Sequence, residues 1–429
     1  MRALNPRVAT SGKFIAFADD LTGAAEIAGL GHRFGLTSEV LARGEPPGDA
    51  ALSVIDTDSR LASPAEAARL VAEAAREVSG RPWTFVYKKT DSVLRGPVAA
   101  EVAALAAVLG RRRALLVPCN PSLGRTIRGG RYFLGELPLD ETAFARDPHH
   151  PARTADVVDL LKWSALSAAH ILWEGLCAPK SRGVNPLPHP SPPGESNALH
   201  LIDPAPPISA LPLGTPLPAI GLIVGEATTS ADVQAWAERV EADTLPAGGG
   251  EFFAALLRRN VATAPAPATD FSPAGPALLV TGTLASPLRR SDALVLPKAA
   301  SVLAALAQHR IVAVAPPASR DSDAAAPALF RRALASLVRN AVDARAVQHI
   351  AIEGGATAAE ILGTLGWRRL TVVHEWAQGV VTLVPSPNAG VVVTMKPGSY
   401  AWPAALRALL FGPHPPLALP GSVEDSRPV

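Results

Sequence analysis

Residues 14–26 read FIAFADDLTGAAE, and this stretch indicates how the chain begins to fold. An apolar run, Phe14–Ala18, ends at Asp19 and Asp20, and a glycine and an alanine-rich segment follow. The pattern predicts a buried strand, a turn and a helix. Two carboxylates at the end of a buried strand cost free energy unless something pairs with them. In open α/β sheets ligands bind at that edge, although one of the two acids is alternatively expected to cap the helix.

The composition is that of an ordinary soluble enzyme. A length of 429 residues predicts two or three domains, and a hydrophobic fraction of 48% fits a globular protein. A net charge of +2 with scattered basic residues argues against a nucleic-acid-binding protein. The two cysteines provide neither a disulfide framework nor metal-ligand spacing. Because no secretory signal or membrane-spanning run is apparent, we expect a cytoplasmic protein with no membrane partner.

Short apolar runs alternate with helical stretches along most of the chain. This alternation predicts an α/β fold with mostly parallel sheets. The predicted strands are 14–18, 52–56, 84–88, 114–118, 220–224, 278–280, 311–315, 350–352 and 371–373. The predicted helices are 23–31, 64–78, 97–109, 230–240, 251–259, 324–342 and 356–365, with Pro64 and Pro97 in first turns.

Two proline-rich stretches suggest the domain limits. Residues 180–213 are expected to form an irregular excursion, and residues 261–276 are expected to form a linker. We therefore predict an N-terminal domain over 1–260 and a C-terminal domain over 277–429.

A second polar group follows the predicted strand at 84–88. Lys89, Asp91, Ser92 and Arg95 stand together there, followed by Gly96. A lysine is a mobile charge suited to a carboxylate or phosphate, and an arginine offers a planar fork for two hydrogen bonds. The alternative is a solvated loop in which Asp91 caps the next helix.

A third group, residues 118–132, places Arg125, Arg128 and Arg131 among glycines that include Gly130. A cationic loop with exposed N–H groups suits an anion, although a flexible surface turn has the same composition. The following segment, 139–148, is a candidate to fold back over the site.

In the C-terminal half, a predicted strand leads through Gly354 and Gly355 into Ala356 and Thr357. Strand, glycine turn and helix together present backbone N–H groups to phosphates. This signal is weak alone, since such turns are common. The loops 281–283 and 396–400 are candidates to join it.

These pieces, in this order, resemble the four-carbon acid sugar kinases, which include kinases of threonate, erythronate and 3-oxo-tetronate. The resemblance covers nearly the whole chain and rests on the segments 19–23, 89–96, 124–130, 245–250, 354–357 and 396–398. It implies two α/β domains with the active site in the interdomain cleft. It further implies ATP-dependent phosphorylation of a terminal hydroxyl of a sugar acid, with Mg²⁺ bridging the nucleotide phosphates.

Carried onto this sequence, the resemblance implies roles for particular residues. Asp20 or Asp91 would orient or deprotonate the attacking hydroxyl, and the metal ligands are left unassigned. The substrate would be bound by Asp19, Lys89, Ser92, Arg95, Arg125 and Gly130. ATP would be bound by Thr283, Gly354, Gly355, Ala356, Thr357 and Gly398. The expected partners are therefore the sugar acid and ATP, with a homodimer as a further possibility.

The departures from the family pattern fall in the nucleotide half. Thr281-Gly282-Thr283 stands where the family has serine, glycine and serine, Ala356 replaces a glutamate, and Tyr400-Ala401 replaces phenylalanine and glycine. They leave an alternative open, namely a non-catalytic or regulatory ligand-binding protein with an eroded nucleotide site.

Overall fold

The computed structural model describes residues 12–147, 149–165, 208–261, 275–282, 294–295, 299–315, 326–387, 390–398 and 400–411. The strands in chain order are β1 (Phe14–Ala18), β2 (Ser38–Ala42), β3 (Leu52–Asp56), β4 (Phe85–Lys89), β5 (Arg113–Val117), β6 (Arg125–Arg128), β7 (Arg131–Leu134), β8 (Leu137–Pro138), β9 (Ile208–Leu211), β10 (Gly221–Gly225), β11 (Thr244–Gly248), β12 (Ala277–Thr281), β13 (Leu294–Val295), β14 (Ile311–Ala315), β15 (His349–Glu353), β16 (Arg369–Ala377), β17 (Val380–Ser386) and β18 (Val392–Lys396). The α-helices are α1 (Leu21–Arg33), α2 (Pro64–Val78), α3 (Val98–Val108), α4 (Val157–Ala165), α5 (Ser230–Glu238), α6 (Gly250–Asn260), α7 (Ala299–Gln308), α8 (Ala326–Asp343), α9 (Gly355–Leu365) and α10 (Ala404–Phe411).

The predicted α/β class is confirmed. Three predicted strands match β1, β3 and β14 to the residue, and most of the other predicted elements shift by one or two residues. Pro64 begins α2 behind the N-cap Ser63, as expected, whereas Pro97 is the N-cap of α3. Among the elements that the structure describes, the prediction missed nine strands and three helices: β2, β6, β7, β8, β9, β11, β13, β17 and β18, and α4, α7 and α10. Strand β9 lies within 180–213, so the expectation of an irregular stretch is wrong for Ile208–Leu211. The candidate Thr283, most of 180–213 and most of 261–276 lie outside the described residues.

The chain divides into two compact units that interleave in sequence. Unit 1 comprises Met1–Asp58, Gly80–Thr90 and Gly249–Val429, and unit 2 comprises Ser59–Ser79 and Asp91–Gly248. Compactness therefore divides the chain differently from the predicted limits 1–260 and 277–429, because strands from both ends pair within unit 1. The limits 1–260 and 277–429 were inferred from the sequence, and they remain a prediction.

Unit 1 is built on one mixed sheet, in the order β13-β14-β12-β15-β18-β17-β16-β2-β3-β1-β4. The strands β2, β3, β1 and β4 are parallel, and so are β14, β12, β15 and β18. The antiparallel strands β16 and β17 join these two groups. All five residues of β1 are buried, as expected for a strand covered on both faces.

Unit 2 contains the parallel strands β11-β5-β10-β9 and a separate three-stranded antiparallel sheet, β6-β7-β8. Helix α2 packs against α3. Ser63 caps α2 by accepting a hydrogen bond from the backbone N–H of Glu66, so the start of this helix is encoded locally.

Candidate active site

The turn between β1 and α1, which we call the acid turn (residues 19–23), holds both aspartates. Asp19 is buried and Asp20 is partly exposed. Asp20 is the N-cap of α1: its Oδ1 accepts from the Gly23 N–H at 2.7 Å, and its Oδ2 accepts from the Thr22 hydroxyl at 2.8 Å. The capping interpretation is therefore confirmed for one of the two acids. A carboxylate oxygen accepts two hydrogen bonds, so capping does not exhaust its acceptor capacity.

Two further carboxylates stand at the neighbouring strand end, and neither was among the sequence candidates. Asp56 ends β3 opposite Ala18 of β1, and its Oδ1 accepts from the Asp58 N–H at 2.9 Å. Burial raises the pKa of Asp56 well above its usual range, and the negative charge of Asp20 raises it further. Partial loss of solvent around its carboxyl also raises the pKa of Asp58, although the residue as a whole is exposed. The sequence does contain a signal for Asp56, because an apolar run ends in an acid there, as it does at the acid turn.

Gly354 and Gly355, which we call the glycine turn, lie against the acid turn within unit 1. Gly354 has φ 102°, a conformation that favours glycine. A Cβ added to Gly355 would lie 2.9 Å from Thr22 Cγ2 and 3.6 Å from Asp20 Oδ2. The start of α9 therefore meets a predicted catalytic aspartate. A side chain at position 355 would therefore first meet Thr22.

Other predicted nucleotide residues lie around the glycine turn. Thr357 is buried in the first turn of α9, and a Cβ on Gly282 would lie 2.0 Å from its Oγ1. Ala356 is exposed, and a Cβ on Gly398 would have no neighbour within 4 Å.

Lys396 ends β18 and does not offer a mobile charge. Its Nζ lies 2.7 Å from Glu353 Oε1 in a buried pair and also donates to the Tyr400 carbonyl at 2.6 Å. It therefore ties its own loop to the end of β15.

Lys89 corrects an expectation. The sequence predicts a mobile charge, but the side chain is buried at the end of β4. Its Nζ lies 3.2 Å from Glu26 Oε2 and donates to the Thr90 carbonyl at 2.9 Å. Gln378 donates to the other oxygen of Glu26 at 2.7 Å. A buried ammonium needs such partners, so Lys89 is a fixed, partly neutralised charge.

In unit 2, Asp91 and Arg95 form a two-point ion pair. Arg95 Nη2 donates to Asp91 Oδ1 at 2.8 Å and Arg95 Nε donates to Oδ2 at 3.1 Å. The Val93 N–H also donates to Oδ2, at 3.1 Å. Asp91 is buried, so the solvated-loop alternative is wrong. The charge of Asp91 raises the pKa of Arg95. The hydrogen bonds of the Asp91 carboxylate mainly hold this turn together.

Two more arginines lie near this turn. Arg60 was not among the sequence candidates, and its Nη2 lies 3.8 Å from Asp91 Oδ1. Arg125 donates through Nη1 to the Ser92 hydroxyl. The Nε of Arg125 is buried and has no hydrogen-bond partner among the described residues. A buried donor of this kind calls for an explanation, such as a ligand.

The predicted cationic loop is a β-hairpin. β6 and β7 pair antiparallel, and Gly129 and Gly130 form the turn with positive φ. The backbone N–H groups of both glycines already donate to Glu226, at 3.0 and 2.7 Å. The carboxylate of Glu226 therefore occupies the position at Gly130 where the sequence predicted a bound anion.

The segment after the hairpin folds back, as the sequence suggested for 139–148. Asp147 Oδ2 accepts from Arg95 Nη1 at 3.2 Å, and the Phe144 ring lies 5.4 Å from the Arg95 guanidinium carbon. Phe144 and Arg95 line a pocket of about 370 Å³, together with Val93, His150 and Leu160.

Comparison with known proteins identifies the family of this chain. A model described as a sugar-binding N-terminal domain matches residues 14–180, and one described as a nucleotide-binding C-terminal domain matches residues 281–400. Together they match more than half of the chain. The chain belongs to the four-carbon acid sugar kinase family.

The relatives in this family include enzymes of named substrate. The chain is 37% identical over 153 residues to a D-erythronate kinase of Heliobacterium modesticaldum, covering 34% of this chain and 35% of that protein. It is also 37% identical over 155 residues to a D-threonate kinase of Salmonella typhimurium, covering 34% of this chain and 36% of that protein. These matches span about a third of the length of the relatives.

A solved structure of a Haemophilus influenzae protein has the same fold as this chain. The TM-score is 0.62 at 18% identity, and the match covers 91% of this chain and 97% of that one. Within the part of the chain that the structure describes, no helix has the length and apolar character needed to cross a membrane.

Proposed function

We propose that this protein is an ATP-dependent kinase that phosphorylates a terminal hydroxyl of a four-carbon sugar acid of the threonate, erythronate or 3-oxo-tetronate type. The observation that carries the proposal is the approach of the glycine turn to the acid turn inside unit 1. A helix N-terminus stabilises a phosphate, and a carboxylate beside it can accept the proton of an attacking hydroxyl. The named substrates of the relatives support the substrate class.

The start of α9 fits a nucleotide phosphate. Gly354 caps the helix without a side chain, and no acidic residue lies in the first turn, so its N–H groups are presented to an anion. We assign the nucleotide to Thr283, Gly354, Gly355, Ala356, Thr357 and Gly398. Bound ATP supplies the transferable phosphoryl group, and Mg²⁺ neutralises its charge.

The acid turn fits a shared Mg²⁺ site. Mg²⁺ usually takes one or two carboxylates together with substrate phosphates rather than a cage of protein ligands. Among the described residues no group of three acids, histidines or cysteines is arranged as such a cage. Asp56 ends β3 opposite Ala18 of β1, and Asp20 follows β1 by two residues. Asp20 and Asp56 are the carboxylates that we propose to face the metal.

Arg125 and Ser92 are the first groups that we propose for the sugar acid. The Nε of Arg125 has no hydrogen-bond partner within the described ranges of the chain. With Ser92 beside it, this group suits the substrate carboxylate and a neighbouring hydroxyl. Asp91 holds Arg95 in place, so we assign Asp91 to positioning and Asp20 to the attacking hydroxyl. Asp19, Lys89, Arg95 and Gly130 remain proposed substrate-binding residues, Lys89 as a fixed charge.

The test is a coupled ATP-consumption screen with Mg²⁺ over all stereoisomers of threonate, erythronate and 3-oxo-tetronate. We expect turnover with at least one of them. If folded protein turns over none, the proposal is overturned. If calorimetry then detects binding of ATP or a sugar acid, the non-catalytic ligand-binding alternative replaces it.

A further inference from the structure

Thr22 connects the two turns of the candidate active site, and it was not among the sequence candidates. Its hydroxyl donates to Asp20 Oδ2 at 2.8 Å, while the Gly23 N–H donates to Oδ1 at 2.7 Å. Two donors on opposite oxygens fix the rotation of the carboxylate. A hydroxyl that donates one hydrogen bond still has acceptor lone pairs.

The methyl group of Thr22 is fitted to the glycine turn. A Cβ on Gly355 would lie 2.9 Å from Thr22 Cγ2 and 3.2 Å from Thr22 Oγ1. Gly355 is the first residue of α9 and, unlike Gly354, is not among the glycines with positive φ. The backbone conformation at Gly355 therefore does not demand glycine, and what excludes a side chain is the neighbouring threonine.

We infer that Thr22 is a positioning residue for phosphoryl transfer. Its hydroxyl aims Asp20, and its methyl group sets the distance between Asp20 and the N–H groups of α9. This inference rests on the proposed function and deepens it. It names the side chain that sets the position of the proton acceptor relative to the phosphate-binding turn. Phosphoryl transfer depends chiefly on such positioning.

The two parts of the side chain can be tested separately. Thr22→Val keeps the shape and removes the hydroxyl, and we expect kcat to fall about 10- to 100-fold, the range for losing a hydrogen bond to a charged group. The KM values for ATP and sugar acid should stay within about twofold. Thr22→Ser keeps the hydroxyl but loses the methyl group, so its kcat should lie between those of Thr22→Val and the wild type.

The fit between the turns is tested by a double-mutant cycle. Gly355→Ala should lower kcat and raise the KM for ATP, because its Cβ meets Thr22 Cγ2. Combining Gly355→Ala with Thr22→Ser removes that methyl group and should recover at least tenfold of the loss. Thermal unfolding of every variant shows that folded protein is compared, and Thr22→Ala provides a second hydroxyl-free variant if Thr22→Val fails to fold.

Thr228→Val is the matched control. Thr228 donates to Asp232 Oδ2 at 3.0 Å before helix α5, so its loss also removes a hydroxyl–carboxylate bond beside a helix start. We expect its kcat to equal that of the wild type. If the kcat of Thr22→Val equals that of the wild type, or if the double variant is no more active than Gly355→Ala, the role of Thr22 is overturned. Neither outcome contradicts the proposed function. An inactive wild type overturns the proposed function and the role of Thr22 with it.

Discussion

At the scale of single residues, Asp20 joins a structural and a proposed chemical task in one carboxylate. Its Oδ1 caps α1 by accepting from the Gly23 N–H, and its Oδ2 accepts from the Thr22 hydroxyl. We propose that this carboxylate also accepts the proton of the attacking hydroxyl. The task of a cap is readable from sequence, because it depends on neighbours in the chain. The competing candidate Asp91 could be judged only from structure, since its bonds to Arg95 define what it does.

Asp20→Asn separates these tasks. Asn caps helices as well as Asp does, so we expect the free energy of unfolding to change by less than about 1 kcal/mol. Turnover should fall by roughly two to four orders of magnitude, the range for removing a positioned proton acceptor. Steady-state kinetics and chemical denaturation measure the two effects. Near-normal turnover would remove Asp20 from the mechanism.

Asp91→Asn should behave differently, because Asp91 holds Arg95. We expect a raised KM for the sugar acid and a loss of stability of about 1–3 kcal/mol, the usual cost of leaving a partly buried charge without its partner. If kcat falls as far as in Asp20→Asn while KM is unchanged, the assignment of the proton acceptor is reversed.

Asp56 makes stability depend on pH in a predictable direction. Its pKa is raised in the folded protein by burial and by Asp20, so the folded state binds more protons than the unfolded state. Stability is therefore lost as pH rises from the ordinary Asp range toward the raised pKa. In metal-free buffer, Asp56→Asn should be more stable than the wild type at pH 8. The expected difference is about 1.4 kcal/mol for each unit by which folding raises the pKa of this carboxyl.

The advantage of Asp56→Asn should shrink as pH falls toward 4, where the wild-type carboxyl is protonated in the folded state and increasingly so in the unfolded state. Denaturation at several pH values measures this difference. Asp49→Asn, the same substitution at an exposed acid, is the control against which the difference for Asp56→Asn is compared. An equal difference for Asp56→Asn at pH 8 and pH 5 would contradict the prediction.

At the scale of elements, the hairpin of β6 and β7 carries Arg125 and is held at its turn by Glu226. The glycines of that turn were recognised in the sequence, but the hairpin was not, because a run of arginines and glycines has no clear strand alternation. The partner Glu226 lies far along the chain, so no local pattern points to it.

Glu226→Ala should loosen this element. Two backbone N–H groups lose their acceptor, and because water reaches them in part, we expect a stability loss of about 1 kcal/mol. The KM for the sugar acid should rise several-fold while the KM for ATP is unchanged, since Arg125 is on β6. Glu136→Ala is the control, because its pair with Arg128 is exposed and such pairs contribute little. A matching rise in both KM values would contradict this role.

At the scale of the whole molecule, unit 1 takes strands from both ends of the chain. β16 pairs with β2, and Arg33 on α1 bonds Glu375 on β16 at 2.7 Å. A division at the predicted linker therefore cuts one sheet in two, although it separates the two matched sequence domains.

Expression as two chains tests this architecture. We expect fragment 1–261 alone to unfold at lower temperature or to aggregate, because β2 becomes an unpaired edge. Co-expression with fragment 275–429 should restore a single cooperative transition. Circular dichroism during heating distinguishes the cases. A fragment 1–261 that unfolds cooperatively at the temperature of the full chain would contradict the prediction.

The sequence by itself determined the α/β class, the strand, turn and helix around Asp20, and the family. These features depend on the period of apolar residues, on caps and on the order of motifs, all of which are local. Only the tertiary structure decided that Gly355 rests on Thr22, that Lys89 is paired with Glu26, and that Asp56 ends the strand that pairs with β1. These contacts join distant segments, and they arise from how strands pair and helices pack, which no local pattern specifies.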